Sequence, residues 1–437
     1  MALIDKASLL MVPSTYEAGK LYNVLPSGNR APDNKGGAGY DQTRADFDFD
    51  RGSNAAATRI NSSGLIEKYR ENSVLYSNGF NDAVWSKVNA SVTSGQSDKN
   101  GGTEAWLLTK SAGFGRIQQL LSTSGVHTYS VYAKAGSLNY MRLRIEGISN
   151  PSCFFDFTNG TIHSNQGFAA EMESVGGGWY RCSFTFVDTA VQRISIYPAD
   201  GTGSVSGGSG SIYIQSAQLE SGLAATDVLT SGATTAKAGV LIDLPRINYD
   251  ANGENGALLL EPSRANAMPH SEYFTDLSPA ASVLIANSAT SPEGLENAYL
   301  MYPSSDSANV GAYKNSVGFG TTGVVSCFVK SAGKRYAMLG TDNTPNYICV
   351  FDLQEEEVVV EPTNYTGTIE SYGNGWYRIT AAYVNSAALN YPFVGLSDDA
   401  SRNVVVDGTN GIYIYGMQYE VNATYATSYI PNHSGDR

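Results

Sequence analysis

The chain contains the same ordered set of motifs twice. Gly177–Arg181 reads Gly-Gly-Trp-Tyr-Arg, and Asn374–Arg378 reads Asn-Gly-Trp-Tyr-Arg. Further matches follow in the same order, ending with Glu220 and Glu420, and the offset between matched residues stays between 194 and 200 positions. Ordered matches at a long, nearly constant offset predict a duplicated domain and not a solenoid of short repeats.

The residue pattern inside each copy indicates β-strands. Only 16% of the 437 residues are charged, whereas Gly numbers 46 and Tyr 28, which is typical of strands joined by polar turns. In Tyr140–Glu146, Met141, Leu143 and Ile145 alternate with charged residues, as expected for an antiparallel sheet with one buried face. We therefore predict an all-β protein of two tandem antiparallel jelly-roll β-sandwiches, preceded by a short N-terminal attachment segment.

These patterns divide the chain into four parts. Residues 1–64 form the predicted attachment segment, 65–222 the first sandwich, 223–256 a linker and 257–437 the second sandwich. The first part holds too little apolar sequence for a core of its own and needs a partner surface. Its apolar candidates for attachment to a partner or to symmetry mates are Leu9, Leu10, Tyr22, Val24 and Leu25.

Charge and hydropathy exclude several classes of function. A net charge of −13 without a basic stripe argues against binding to nucleic acid and against docking on anionic lipid. No apolar run approaches the length of a membrane span, and the N-terminus lacks the apolar stretch of a secretory signal, so synthesis in the cytoplasm is expected. The four cysteines are expected to be free and buried, because two of them align with Ile or Val in the other copy.

No residue set in the chain predicts catalysis. The four histidines, His127, His163, His270 and His433, are scattered, do not recur between the copies and lack zinc-ligand spacing. No Gly-x-Ser-x-Gly elbow is present. We therefore expect no enzyme, and a glycan-cleaving enzyme using two carboxylates remains the least favoured alternative.

Four acidic residues recur as pairs. They are Asp156 with Asp352, before predicted turns, and Glu220 with Glu420, at strand ends. Recurrence favours structural roles, such as bonding to backbone amides or to Arg181 or Arg378. The open alternative is a structural Ca²⁺ held by these acids and backbone carbonyls; no other cofactor is expected.

Aromatic residues offer possible sugar-stacking surfaces. Trp179 and Trp376 occur in both copies, which favours a role as structural anchors. Trp85 and Trp106 have no tryptophan counterpart in the second copy, so they are better glycan-binding candidates, with Tyr132 as an additional ring.

Several segments resemble virion structural proteins of tailed bacteriophages, of the tail-fibre or head-fibre type. These segments are Leu3–Ser14 with Ala18–Tyr22, Asp48–Glu67, Leu258–Asn266, and the closing motifs Gln218–Glu220, Gln418–Glu420 and Ala426–Pro431. Together they cover nearly the whole chain. Arg70-Glu71-Asn72 departs from the pattern, because the Leu-Glu-Pro that precedes Ser263-Arg264 in the second copy is missing there.

The resemblance implies concanavalin-like or carbohydrate-binding-module-like sandwiches in a non-enzymatic virion protein. Its partners would be other virion proteins and copies of itself, with a trimer favoured, and its location would be the virion. A host-glycan-binding adhesin is the alternative function, and the two can coexist.

Overall fold

The computed structural model describes residues 58–433, with gaps at 148, 164–168, 202, 243, 316, 319 and 385–390, and the backbone of three short strands before residue 50. Those three strands, β1–β3, are Thr15–Glu17, Lys20–Tyr22 and Phe47–Asp48, and they pair in that order. Leu9, Leu10, Val24 and Leu25 lie outside the described residues. Tyr22 ends β2, where its backbone pairs with Thr15.

Three short strands precede the first sandwich. Strands β4–β6 are Thr58–Ile60, Ile66–Lys68 and Arg70–Asn72. The first two form an antiparallel hairpin, hereafter the Thr58–Lys68 hairpin. The predicted boundary after residue 64 falls inside this hairpin.

The first sandwich contains ten strands. Strands β7–β16 are Trp85–Val88, Ala90–Gln96, Ala105–Lys110, Arg116–Ala135, Tyr140–Glu146, Ser152–Asp156, Thr161–His163, Ala169–Gly176, Trp179–Ala199 and Gly210–Ser221. The strands β10 and β15, of 20 and 21 residues, run through both layers of the sandwich. Register shifts between Leu120 and Gly125 mark where β10 passes from one layer to the other.

Residues between the sandwiches also pair as strands. Strands β17–β19 are Ala236–Ala238, Ile247–Asn248 and Ala257–Leu258. Strand β17 pairs with β6, and β18 pairs with β19. The segment predicted as a linker is therefore hydrogen-bonded to its neighbours at both ends.

The second sandwich consists of two six-stranded antiparallel sheets and two short edge strands. Strands β20–β33 are Ser278–Ala280, Ser282–Thr290, Glu296–Pro303, Ser307–Ala308, Val310–Tyr313, Thr322–Ala332, Tyr336–Gly340, Ile348–Asp352, Glu357–Val360, Tyr365–Ser371, Tyr377–Val384, Phe393–Ser397, Asn403–Val404 and Gly411–Val421. One sheet has the order β20-β24-β31-β26-β27-β28 and the other β21-β22-β33-β25-β30-β29. The prediction of tandem antiparallel sandwiches is confirmed.

Both copies use the same pairing registers. Leu143 pairs with Cys153 in the first copy, and Leu339 pairs with Cys349 in the second. The order β8-β9-β16-β10-β15-β14 in the first copy matches β21-β22-β33-β25-β30-β29 in the second. The long β10 corresponds to two separate strands, β24 and β25. The strand that is continuous in the first copy is therefore broken into two in the second.

The interior of each sandwich is filled by the residues that alternation predicted. Met141, Leu143 and Ile145 are fully buried in the first core, and Ile379 and Ala381 in the second. Cys153, Cys182, Cys327 and Cys349 are all free and buried, as predicted. Within the described residues, helices are limited to the single 3₁₀ turns Phe274–Asp276 and Pro345–Tyr347, and none has the length or apolar character to traverse a bilayer.

Candidate functional site

The tryptophans predicted to bind glycan are part of the first core, so that prediction is wrong. Trp85 is 0% exposed and Trp106 is 9% exposed. Both indoles pack edge-on against Phe80, and their ring N–H groups donate to the backbone carbonyl oxygens of Tyr76 and Asn78. A ring enclosed in this way presents no face to a sugar. Trp106 occupies the position of Tyr299, which is buried in the second core and pairs with Ile414 as Trp106 pairs with Ile214.

Tyr132 is also covered, which corrects its assignment as a stacking ring. Lys99 Nζ lies 4.6 Å from the centroid of its ring, and the Arg181 guanidinium carbon lies 5.5 Å away. The ring also packs in a small cluster with Trp179. Trp179 and Trp376 are buried, in agreement with a role as anchors.

The recurring aspartates close turns. Asp156 accepts hydrogen bonds from the backbone N–H of Thr158 and the side-chain amide of Asn159. Burial alone would raise the pKa of Asp156, but these hydrogen bonds outweigh it and hold the pKa below its usual value. In the second copy, hydrogen bonds from the Arg335 guanidinium lower the pKa of Asp352.

The recurring glutamates each hold a threonine in the segment that leaves the sandwich. Glu220 accepts hydrogen bonds from the backbone N–H and the hydroxyl of Thr226, and Glu420 does the same for Thr427. Arg181 and Arg378 donate to the carbonyl oxygens of those threonines. Each arginine and glutamate thus act together on one residue, although no direct ion pair joins them among the described residues.

The four acidic residues are therefore occupied by protein donors. Burial raises the pKa of Glu220 despite its hydrogen bonds. In the part of the chain that the structure describes, no group of three or more His, Cys, Asp or Glu side chains could hold a metal ion. The donor geometry fits a structural role at turns and strand ends.

A buried charge cluster was not predicted from the sequence. Lys68 Nζ lies 3.0 Å from Glu272 Oε1 and 2.5 Å from Glu293 Oε2. The hydroxyl of Tyr415 lies 3.0 Å from Glu272 and 2.7 Å from Glu293, and the Tyr429 hydroxyl lies 3.0 Å from Glu272. Burial by itself lowers the pKa of Lys68, but the two carboxylates reverse this and raise it above its usual value. No motif spacing could have identified the cluster, because its members lie far apart in sequence and have no counterpart in the first copy.

This cluster lies at one side of a polar cleft between the two sandwiches. The cleft has a volume of about 570 Å³ and is lined by both copies, including Lys68, Arg70, Arg181, Asp227, Glu293 and His433. Lys68 Nζ and the Tyr415 hydroxyl contact both glutamates of the cluster, so these carboxylates are engaged by protein donors. The arrangement can fix the Thr58–Lys68 hairpin onto the second sandwich.

Comparison with known proteins gives only distant structural likeness. No protein-family model matches the chain, and no curated protein matches it. Among solved structures, the N-terminal tandem CBM22-1 and CBM22-2 domains of Xyn10C from Paenibacillus barcinonensis align at 11% identity and a TM-score of 0.22, covering 85% of this chain and 99% of that one. Oxalate decarboxylase from Bacillus subtilis aligns at 7% identity and a TM-score of 0.11, covering 87% and 76%. At these TM-scores neither alignment carries an argument about this chain.

Proposed function

We propose that the chain is a non-enzymatic structural protein of a bacteriophage particle, an appendage or decoration component that is made in the host cytoplasm and docked by its N-terminal segment. Two kinds of observation support this proposal. The sequence resembles virion proteins over most of its length, and a buried polar cluster around Lys68 holds the Thr58–Lys68 hairpin, which follows the N-terminal segment, on the second sandwich.

The buried cluster is the single observation that carries the structural role. Burying a lysine with two carboxylates is costly, and such groups are retained where they fix one arrangement of the chain. Here the fixed arrangement is the position of the Thr58–Lys68 hairpin on the second sandwich. A protein docked through the segment before the hairpin needs this rigid connection, whereas a hydrolase needs a titratable pair open to substrate.

The proposal includes attachment through residues before the hairpin and assembly with further copies, with a trimer expected. Leu9, Leu10, Tyr22, Val24 and Leu25 would supply the apolar contact with other virion proteins. Glycan binding by the displayed sandwiches is the second candidate function, and one surface of the first sandwich favours it, as argued below.

The test is incorporation of truncated and substituted protein into particles. Deleting residues 1–57 spares the hairpin, so the remaining chain should keep its thermal unfolding temperature but no longer enter particles. The paired substitution Leu9→Ser and Leu10→Ser should reduce incorporation, whereas Leu260→Ser, at an apolar residue that is 79% exposed, should not. Full incorporation of the folded deletion variant would refute the attachment role.

A further inference from the structure

The two copies differ sharply on one outer sheet face. In the first sandwich, three arginines project from the face opposite the core: Arg116 on β10, and Arg142 and Arg144 on β11. By register, Arg142 lies between Tyr197 and Phe154, and Arg144 lies beside Ser195. We call Arg116, Arg142, Arg144, Ser195 and Tyr197 the arginine face.

The equivalent face of the second sandwich carries no charge at these positions. Met338 stands where Arg142 does, paired with Gly395 and Val350. Gly340 and Gly311 take the places of Arg144 and Arg116. The fold therefore does not need arginine here, because the same strands pair in the same register without it.

The arginines lie on aromatic rings that hold them in place. The guanidinium carbon of Arg142 is 5.2 Å from the Phe154 ring centroid and 5.6 Å from that of Tyr197, and the guanidinium carbon of Arg116 is 5.5 Å from Tyr197. Both rings are buried beneath them. Stacking on a ring fixes the guanidinium plane while leaving the in-plane N–H groups able to donate, which preorganises them for a planar oxyanion.

The hydrogen-bonding capacity of the face is not used up within the described residues. No ion pair involves Arg116, Arg142 or Arg144, and the nearby Glu146 pairs with Arg193 at 2.6 Å. Arg142 donates one hydrogen bond, to Ser152 Oγ at 3.0 Å, and Arg116 donates to Gln118 Oε1 at 2.7 Å and to the carbonyl oxygen of Phe114 at 3.2 Å, so Arg144 is the least engaged of the three. The Nε atoms of Arg142 and Arg144 are buried without a hydrogen-bond partner, and so is the hydroxyl of the fully buried Ser195. Burial and the neighbouring charge of Arg144 lower the pKa of Arg142, because both disfavour its charged form. An anion bound beside Arg142 would stabilise that charged form.

From this geometry we infer that the arginine face is a binding site for an acidic saccharide, whose carboxylate or phosphate lies across the guanidinium groups of Arg142 and Arg144. Val205 packs with Phe154 and Tyr197 and helps to fix the two rings that carry the arginines. The inference does not depend on attachment to a particle, since it concerns the isolated chain.

The experiment measures binding of the full chain by calorimetry at low and moderate salt. The carboxylate probe is an oligogalacturonate, with its methyl ester as the neutral match, and the phosphate probe is a phosphomannan oligosaccharide, with its dephosphorylated form as the match. We expect at least one acidic probe to bind about tenfold or more tightly than its neutral match, with weakening by salt.

Two single variants test the site, and one matched variant controls for loss of charge. Arg142→Gln and Arg144→Gln should each weaken binding of that probe about tenfold or more, as expected for loss of a charge-assisted hydrogen bond. Arg264→Gln removes an arginine that lies over Tyr425 in the second sandwich and should leave binding unchanged.

Three results would overturn the inference. They are equal binding of acidic and neutral probes, full binding by a folded Arg144→Gln protein, and no binding of either acidic probe. A change of oligomeric state in Arg144→Gln without any saccharide binding would instead assign the face to contact between copies of the chain, and would also overturn it.

Discussion

Lys68 separates two carboxylates that would otherwise repel each other inside the second sandwich. Glu272 and Glu293 are almost completely buried, and the hydroxyl of Tyr415 bridges them. Removing Lys68 leaves two buried carboxylates without a cation beside them. This loss destabilises the folded chain more than replacing all three charged groups by neutral ones would. Lys68 is therefore one of the side chains on which the stability of the hairpin contact depends.

Lys68→Met should lower the free energy of unfolding by about 3–5 kcal/mol, because it breaks a buried ion cluster by removing one member. Urea unfolding followed by tryptophan fluorescence measures this. Lys237→Met, at an exposed residue of β17, is the control and should have almost no effect. If the triple variant Lys68→Met, Glu272→Gln, Glu293→Gln were no more stable than Lys68→Met, buried charge would not be the cause.

Asp352 should make the protein less stable in acid. Its pKa is lower in the folded chain than the ordinary 3.8, so its contribution is fully present above that value and is lost as the pH falls through the folded pKa. Asp352→Asn should remove this part of the acid dependence while lowering stability at neutral pH. Urea unfolding at a series of pH values tests it, with Glu355→Gln, an exposed acid in the same turn, as the control. Identical pH profiles for wild type and Asp352→Asn would contradict the assignment.

At the scale of elements, the Thr58–Lys68 hairpin is packed against the sandwich that is farther away in sequence. The Thr58 hydroxyl donates to the carbonyl oxygen of Tyr429 at 2.6 Å, and the Ile66 N–H donates to that of Pro292 at 3.0 Å. Ile66 itself is buried with Phe328 and Trp376. The turn of the hairpin approaches a second turn so closely that Gly64, with φ +72°, would place a Cβ 2.2 Å from the carbonyl oxygen of Ala251.

Gly64→Ala should destabilise the chain by about 1–3 kcal/mol more than Gly101→Ala does. Both glycines have positive φ, but Gly101, at φ +84°, has open space around it, so only Gly64 adds a steric collision to the backbone strain. Thermal unfolding of the two variants side by side measures the difference. Equal losses would mean that the two turns are not in contact in solution.

The elements differ in how far the sequence could predict them. Alternation correctly placed Met141, Leu143 and Ile145 in the core, because a strand with one wet face carries a local signal. Comparison of the two copies failed for Trp85 and Trp106, because the lack of a matching tryptophan suggested exposure, whereas Trp106 occupies the buried position that Tyr299 has in the other copy. The hairpin contact could not be predicted from the sequence. It joins residues hundreds of positions apart, and no local residue pattern indicates that they meet.

On the scale of the whole molecule, the two sandwiches share apolar contacts. Val126 of the first sandwich and Leu223, which directly follows that sandwich, belong to the core cluster of the second, and the Val126 N–H donates to the carbonyl oxygen of His433 at 3.2 Å. Together with the hairpin, this contact restricts movement of one sandwich relative to the other. The two copies should therefore behave as one cooperative body.

Calorimetry should show a single unfolding transition for the wild-type chain, and Val126→Ala should divide it into two. The substitution removes about 1–3 kcal/mol of contact at the junction. Val74→Ala makes the same truncation wholly within the first core and should lower the transition temperature without dividing the transition. Two transitions in the wild type would show that the junction is too weak to couple the copies.

The bond between Thr58 and Tyr429 has a mechanical consequence. A pull on the polypeptide ahead of residue 58 is transmitted first into the second sandwich, through the Thr58 hydroxyl and the Lys68–Glu272 contact. The first sandwich lies outside this load path, although it comes next in sequence. Tension applied to the N-terminal side of residue 58 would thus be resisted first by the second sandwich, and the first sandwich could unfold under load only after these contacts had ruptured.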